Sequence, residues 1–181
     1  MSSKVNMTQY VGYIATSLDG YIATPDGGVA WLDPFNEAVA ADGGDGGYGD
    51  FIADVDALIT GRETHEQVLG WGWPYEDRAS YVLTHQADYT ADHVTAAGDI
   101  QTLRKAIEKA GHKKVWVMGG GATQRAALDA GMFDTLRVFV MPTILGGGRK
   151  LFTDGPQHNL TFVSSQSHGG GMLQIDYRIK D

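Results

Sequence analysis

The stretch VWVMGGGATQRAALDAG, residues 115–131, decides the fold. Val115, Trp116, Val117 and Met118 form an apolar run that reads as a buried strand. Three glycines follow, and ATQRAALDAG (122–131) then reads as a helix closed by Gly131. A strand that turns straight into a helix is the first half of a β–α–β unit, so a parallel sheet is expected. The glycines are either a tight turn or a cradle. A strand end that opens a helix presents backbone N–H groups where the helix dipole favours an anion. Without Cβ atoms, a pyrophosphate can come within hydrogen-bonding distance of that backbone. The spacing is neither the Walker pattern, which needs Lys-Ser/Thr after the last glycine, nor the GxGxxG of a first βα unit.

Outward from this turn the same alternation recurs. YVGYIAT (10–16), DALITG (56–61), SYVLTH (80–85) and KVWVMG (114–119) are short apolar runs with β-branched or aromatic residues, and read as strands. ETHEQVLGW (63–71) and DIQTLRKAIEKAG (99–111) read as helices; in the second, Ile100, Leu103, Ile107 and Ala110 share a face and Gly111 stands at the C-cap. Past Gly131 the pattern changes. TLRVFVMPTI (135–144), NLTFVSSQSH (159–168) and MLQIDYRIK (172–180) are strands with no helix between them, the last two joined by GGG as a hairpin. The order predicts one α/β domain over residues 1–181, with a mostly parallel central sheet and antiparallel C-terminal strands. DGGDGGYGD (42–50) interrupts a helix that would otherwise run from about Pro34 to Val55. Each glycine there costs about 1 kcal/mol relative to alanine. The segment reads as a loop, or as a lid near a site.

Composition narrows the function. A net charge of −8 argues against nucleic-acid and anionic-membrane surfaces. The absence of cysteine excludes disulfides and thiolate metal sites, and the histidines lack metal-ligand spacing. The start, MSSKVNMTQ, lacks the apolar core of a signal peptide, so a cytoplasmic protein is the simplest expectation. A second anion-competent turn stands at Gly61-Arg62-Glu63-Thr64, again between strand and helix. Arg62 offers a fork of donors and Thr64 a hydroxyl. Two such turns suit a dinucleotide, with its pyrophosphate at both helix N-termini. A 2′-phosphate would lie near Arg62 or the strand end at Thr84, His85 and Gln86.

The segments ALITGRETHEQVLGWGWPY (57–75) and VWVMGGGATQRAALDAGMFDTLRVFVMPTILGGGRKLF (115–152) resemble the cofactor-binding turns of the dihydrofolate reductase superfamily. ATSLDGYIA (15–23) and FDTLRVFVMPTILGGG (133–148) are closer to the reductase domain of the riboflavin-biosynthesis deaminase-reductase, and the resemblance runs from about Tyr10 to Ile179. It implies a dihydrofolate-reductase-like fold with helices on both faces of the sheet, NADPH as hydride donor, and a homodimer. It places the cofactor phosphates on Gly61, Arg62 and Thr64 and on Gly119, Gly120, Gly121 and Ala122, with Thr84 and His85 nearby. The activity implied is the 5-amino-6-(5-phosphoribosylamino)uracil reductase step, or reduction of another small heterocycle. A pterin reductase and a non-catalytic nucleotide-binding module are the alternatives. The chain departs from the family at Met118, where a carboxylate is usual, and at Tyr13-Ile14, where a basic residue is usual before Ser17-Leu18-Asp19-Gly20.

The proton donor is less sharply marked. Asp33 and Glu37 follow the aromatic Trp31, where an apolar wall would raise a carboxyl pKa, or they merely complement the start of a helix. Asp19 either caps its own turn or lies on a loop crossing the nicotinamide. Trp71, Trp73 and Tyr75 are core packing or a stacking platform for a flat ring. His65 and His85 read as surface or cap positions. Gly146-Gly147-Gly148-Arg149 reads as a loop, or as a site for a substrate anion.

Overall fold

The computed structural model describes residues 7–179. The amino-terminal MSSKVN and Lys180 of the last expected strand lie outside them. Among the described residues ten strands form: β1 (Gln9–Ser17), β2 (Tyr21–Ala23), β3 (Ala57–Gly61), β4 (Ala79–Leu83), β5 (Val94–Ala97), β6 (Lys114–Gly119), β7 (Thr135–Met141), β8 (Arg149–Lys150), β9 (Thr161–Ser167) and β10 (Leu173–Arg178). Five helices accompany them: α1 (Asp33–Ala41), α2 (Tyr48–Ala53), α3 (Arg62–Gly70), α4 (Ile100–Ala110) and α5 (Gly121–Asp129).

Eight strands make one sheet in the order β5-β4-β3-β6-β1-β7-β10-β9. The six from β5 to β7 are parallel; β10 and β9 are antiparallel additions at one edge. The expected architecture is therefore present. The two-residue period of a strand explains how one sequence serves two cores. On β6, Val115 and Val117 join one cluster while Trp116 and Met118 join the other; Ile59 and Leu58 divide likewise on β3. Helices α4 and α5 cover the first face through Leu103, Ile107, Ala127 and Leu128. Phe51 of α2 and Val68 of α3 cover the second, and Val39 of α1 extends it beneath β7.

Local signals set the helix ends. In α4, Leu103 and Ile107 are fully buried, each worth about 1.5–3 kcal/mol relative to exposure. The Asp99 carboxylate accepts from the Thr102 N–H at 2.9 Å, and Gly111 closes the helix at φ 78°. The 42–50 segment is a loop only in its first part. Asp45 accepts from the Gly47 and Gly49 N–H groups at 2.8 and 2.7 Å, and α2 starts directly after Gly47. Only Gly49 falls inside the helix, so the helix penalty for glycine applies once there. This segment lies by Tyr13, whose hydroxyl donates to the Gly46 carbonyl at 3.3 Å, and does not line the main cleft.

Candidate active site

A cleft of about 1420 Å³ opens at the carboxyl ends of β4, β3, β6 and β1. Open parallel sheets bind ligands at this edge. The volume exceeds the usual 300–1,000 Å³ of a pocket for one drug-sized ligand. Gly61, Arg62, Thr64, Thr84, His85, Gly120, Gly121 and Ala122 all line it. The structure thus brings together the two turns expected to face phosphate. Gly119 stands just behind, ending β6.

The three glycines serve three purposes. Gly119 has φ 126°, a conformation L side chains avoid. Gly121 packs against the Lys150 carbonyl so closely that no Cβ fits. Gly120 differs: at φ −70° it tolerates a side chain, and a Cβ would meet only Thr64 Oγ1 at 3.7 Å and Ile22 Cδ1 at 4.0 Å. Thr64 and Ile22 both line the cleft, so the space in front of Gly120 is cleft space. The N-termini of α3 and α5 carry no side-chain cap, leaving first-turn N–H groups available to an acceptor in the cleft. A phosphate group fits there.

Charge lines one part of the cleft. Arg62 donates to both carboxylate oxygens of Glu66 at 3.1 and 2.9 Å. Arg149 bonds Glu63, bridging β8 to the start of α3, and Lys150 bonds Asp154 at 2.8 Å. The Arg149 guanidinium, through hydrogen bond and charge, holds the Glu63 carboxyl below its usual range. The Thr24 hydroxyl does the same for Asp26, and Lys150 for Asp154. Gln67 Nε2 donates to the Gly27 carbonyl at 2.9 Å and ties α3 to the 24–28 turn across the opening.

The expected proton donors lie elsewhere. Asp33 and Glu37 are exposed on α1 and do not line the cleft, although the adjacent Leu32 does. Asp19 is also outside: it accepts from the Leu145 and Gly146 N–H groups at 3.0 and 2.8 Å and from the Ser17 hydroxyl at 2.6 Å. It clasps two loops together. His65, expected at the surface or as a helix cap, is instead buried inside α3 at 1% exposure, its Nδ1 2.7 Å from the Tyr89 hydroxyl. Its spacing from buried Val68 was the available signal. The aromatic segment divides. Trp73 and Tyr75 pack at the margin of the second core, where Tyr75 also reaches the cleft wall, while Trp71 is 63% exposed and lines the cleft.

Comparison with known proteins agrees with this architecture. The RibD C-terminal domain family profile matches residues 11–174. The uncharacterized protein YwjB of Bacillus subtilis is 32% identical over 169 residues, covering 91% of this chain and 94% of its own. A second protein of that organism, the uncharacterized YyaP, is 25% identical over 203 residues with 98% of each chain covered. Among solved structures, a candidate riboflavin biosynthesis protein from Shewanella sp. PV-4 superposes with a TM-score of 0.83 at 27% identity, covering 97% of this chain and 100% of its own. A pyrimidine reductase-like protein from Corynebacterium diphtheriae shares the fold, with a TM-score of 0.68 at 16% identity over 98% and 94% of the two chains. The chain belongs to the RibD C-terminal domain family.

Proposed function

We propose that the protein is an NADPH-dependent reductase of a small heterocyclic substrate. One observation carries this reading: two helix N-termini without side-chain caps converge on a cleft into which Gly120 opens. NADPH, when bound, supplies the hydride; the acceptor C=N or C=O takes that hydride at carbon and a proton at its heteroatom. The α3 and α5 N-termini hold the pyrophosphate, and Arg62, with Thr84 and His85 beside it, holds the 2′-phosphate. Arg62 must leave Glu66 to do so. Their exposed i,i+4 pair is worth only about 0.3–0.5 kcal/mol, less than a charge-assisted phosphate contact. The cleft walls align the two ligands and exclude water between them.

The proton comes from water at the rim. Asp26, Glu63 and Asp154 are strengthened as acids by their partners and stay ionised at neutral pH. The reading also includes a homodimer. Edge strand β9 is exposed along its whole length, with Phe162 and Val163 at 60% and 56% exposure, the kind of unpaired edge that a second copy covers.

Fluorescence titration with both reduced nicotinamide cofactors tests the central reading. NADPH should bind at least about tenfold more tightly than NADH, and Arg62→Ala should remove most of that preference. Equal dissociation constants in the wild-type protein would refute it. NADPH oxidation across a panel of pyrimidines and pterins then separates an enzyme from a binding module.

A further inference from the structure

We propose that the end of the cleft farthest from Arg62 takes an uncharged, planar ring compound against the indole of Trp71. The inference rests on the reductase reading and names the class of its acceptor. Helix α3 flanks the cleft, with Arg62 at its first residue and Trp71 just past its last. At 1.5 Å per residue the two stand about 13 Å apart along the helix. Charge runs out along that distance. Glu63 and Glu66 occupy the first turns; beyond them come Gln67, whose amide is bonded to Gly27, then Val68 and Trp71. Ile14, Val29, Leu32 and Tyr75 also belong to the cleft wall, and none of them carries charge.

No cation of the wall stands free beside Trp71: Arg62 opens α3, Lys150 lies by the α5 turn, and Arg149, whose guanidinium packs against Gly27, is paired with Glu63. Four carboxylates, Asp26, Glu63, Glu66 and Asp154, face three cations, Arg62, Arg149 and Lys150. Each cation is already bonded to one of those carboxylates. A dinucleotide on the α3 and α5 turns adds several negative charges beside them. A phosphate or carboxylate on the acceptor would then sit against apolar side chains, more than the ~8 Å physiological screening length from Arg62, and lose hydration without a counter-ion. Arg78, close in sequence to Tyr75, is turned into the Ile52 and Val55 carbonyls and does not line the cleft. A neutral ring meets no such penalty. Trp71 offers it an open face, because Trp73 and Tyr75 are held against other rings while the Trp71 indole is mostly exposed.

Calorimetric titration of the full-length protein, with and without saturating NADP+, tests this using two flat probes of similar size. One is uncharged 2-methyl-1,4-naphthoquinone and the other is anionic 1,4-naphthoquinone-2-sulfonate. The uncharged probe should bind at least about tenfold more tightly; Trp71→Ala should weaken it about tenfold, and Trp71→Phe should stay within about threefold of wild type. Equal or tighter binding of the sulfonate overturns the proposal. So does undetectable binding of the uncharged probe, or unchanged affinity in Trp71→Ala. Failure of NADPH and NADP+ to bind, with probe binding still dependent on Trp71, would sink the reductase reading and leave the ring site standing. Cofactor binding without discrimination between the probes would do the reverse.

Discussion

Strands β6 and β9 belong to one sheet and differ in nearly every respect that a sheet allows. β6 lies between β3 and β1, is buried on both faces from Val115 to Gly119, and ends in the turn that faces the cleft. β9 has one neighbour, β10, and all seven of its residues are exposed. A central strand answers to packing on four sides, so its side chains are dictated by the fold. An edge strand answers to one hydrogen-bonding partner and is free to carry a surface for another molecule. Substitutions near β6 should therefore act on the fold and the cleft, and those near β9 on association and on modest local stability.

The largest effect is expected at the end of β6. Gly121→Val puts a side chain into the Lys150 carbonyl, and backbone on both sides leaves nothing soft to yield. It should lower stability by at least about 3 kcal/mol in urea unfolding. Next to it, Gly120→Val should separate folding from binding. Its Cβ meets only ordinary contacts, so stability should stay within about 1 kcal/mol of wild type while NADPH affinity falls roughly hundredfold. A folded Gly120→Val protein with undiminished NADPH affinity would make the turn a plain hinge and remove the contrast with Gly121.

At the other edge, Phe162→Glu should leave the fold intact and dissociate the proposed homodimer. A buried aromatic anchor is worth about 2 kcal/mol at an interface, so the dimer dissociation constant should rise about thirtyfold by light scattering. A wild-type chain that is monomeric at high concentration would break this half of the comparison.

What was legible in the sequence follows the same division. Strands buried on both faces appear as continuous apolar runs, so β3, β4 and β6 stood out with their following turns. The turns themselves were legible because glycine and arginine at a strand end have few physical uses. β2 and β8 were not, since two or three residues pair across more than a hundred positions, Tyr21 with Lys150 and Ala23 with Arg149. β5, with the sequence VTAA, is too short and too weakly apolar to announce itself. Within the site, the acidic candidates failed to reach the cleft because helical periodicity cannot tell which side of α1 meets a cleft formed by other elements. Leu32 lines it; one residue on, Asp33 faces solvent. Arg149 was visible as a cation after glycines, but its partner Glu63 lies 86 positions away.

The smallest expected effect lies on β10, beside the exposed strand. Arg137 of β7 donates to Asp176 through Nε at 2.6 Å and a terminal nitrogen at 3.1 Å; Gln174 and Ser164 add bonds at 3.0 and 3.1 Å. Burial is the strongest single influence on this carboxyl and pushes its pKa up, but the bonds from Arg137, Gln174 and Ser164 together hold it below the usual value. A carboxyl with a lowered folded-state pKa contributes stability that is fully present above its unfolded value, about 3.9, and is lost as the pH falls through the folded value. Asp176→Asn should therefore cost about 1–2 kcal/mol at pH 7, toward the lower end for a charged hydrogen bond because the Arg137 side chain is 35% exposed. The two unfolding curves should converge as the pH drops below about 4. A constant gap between wild type and variant from pH 7 to pH 3 would show that Asp176 acts through shape rather than charge. The antiparallel edge would then be held, like the parallel half, by packing alone.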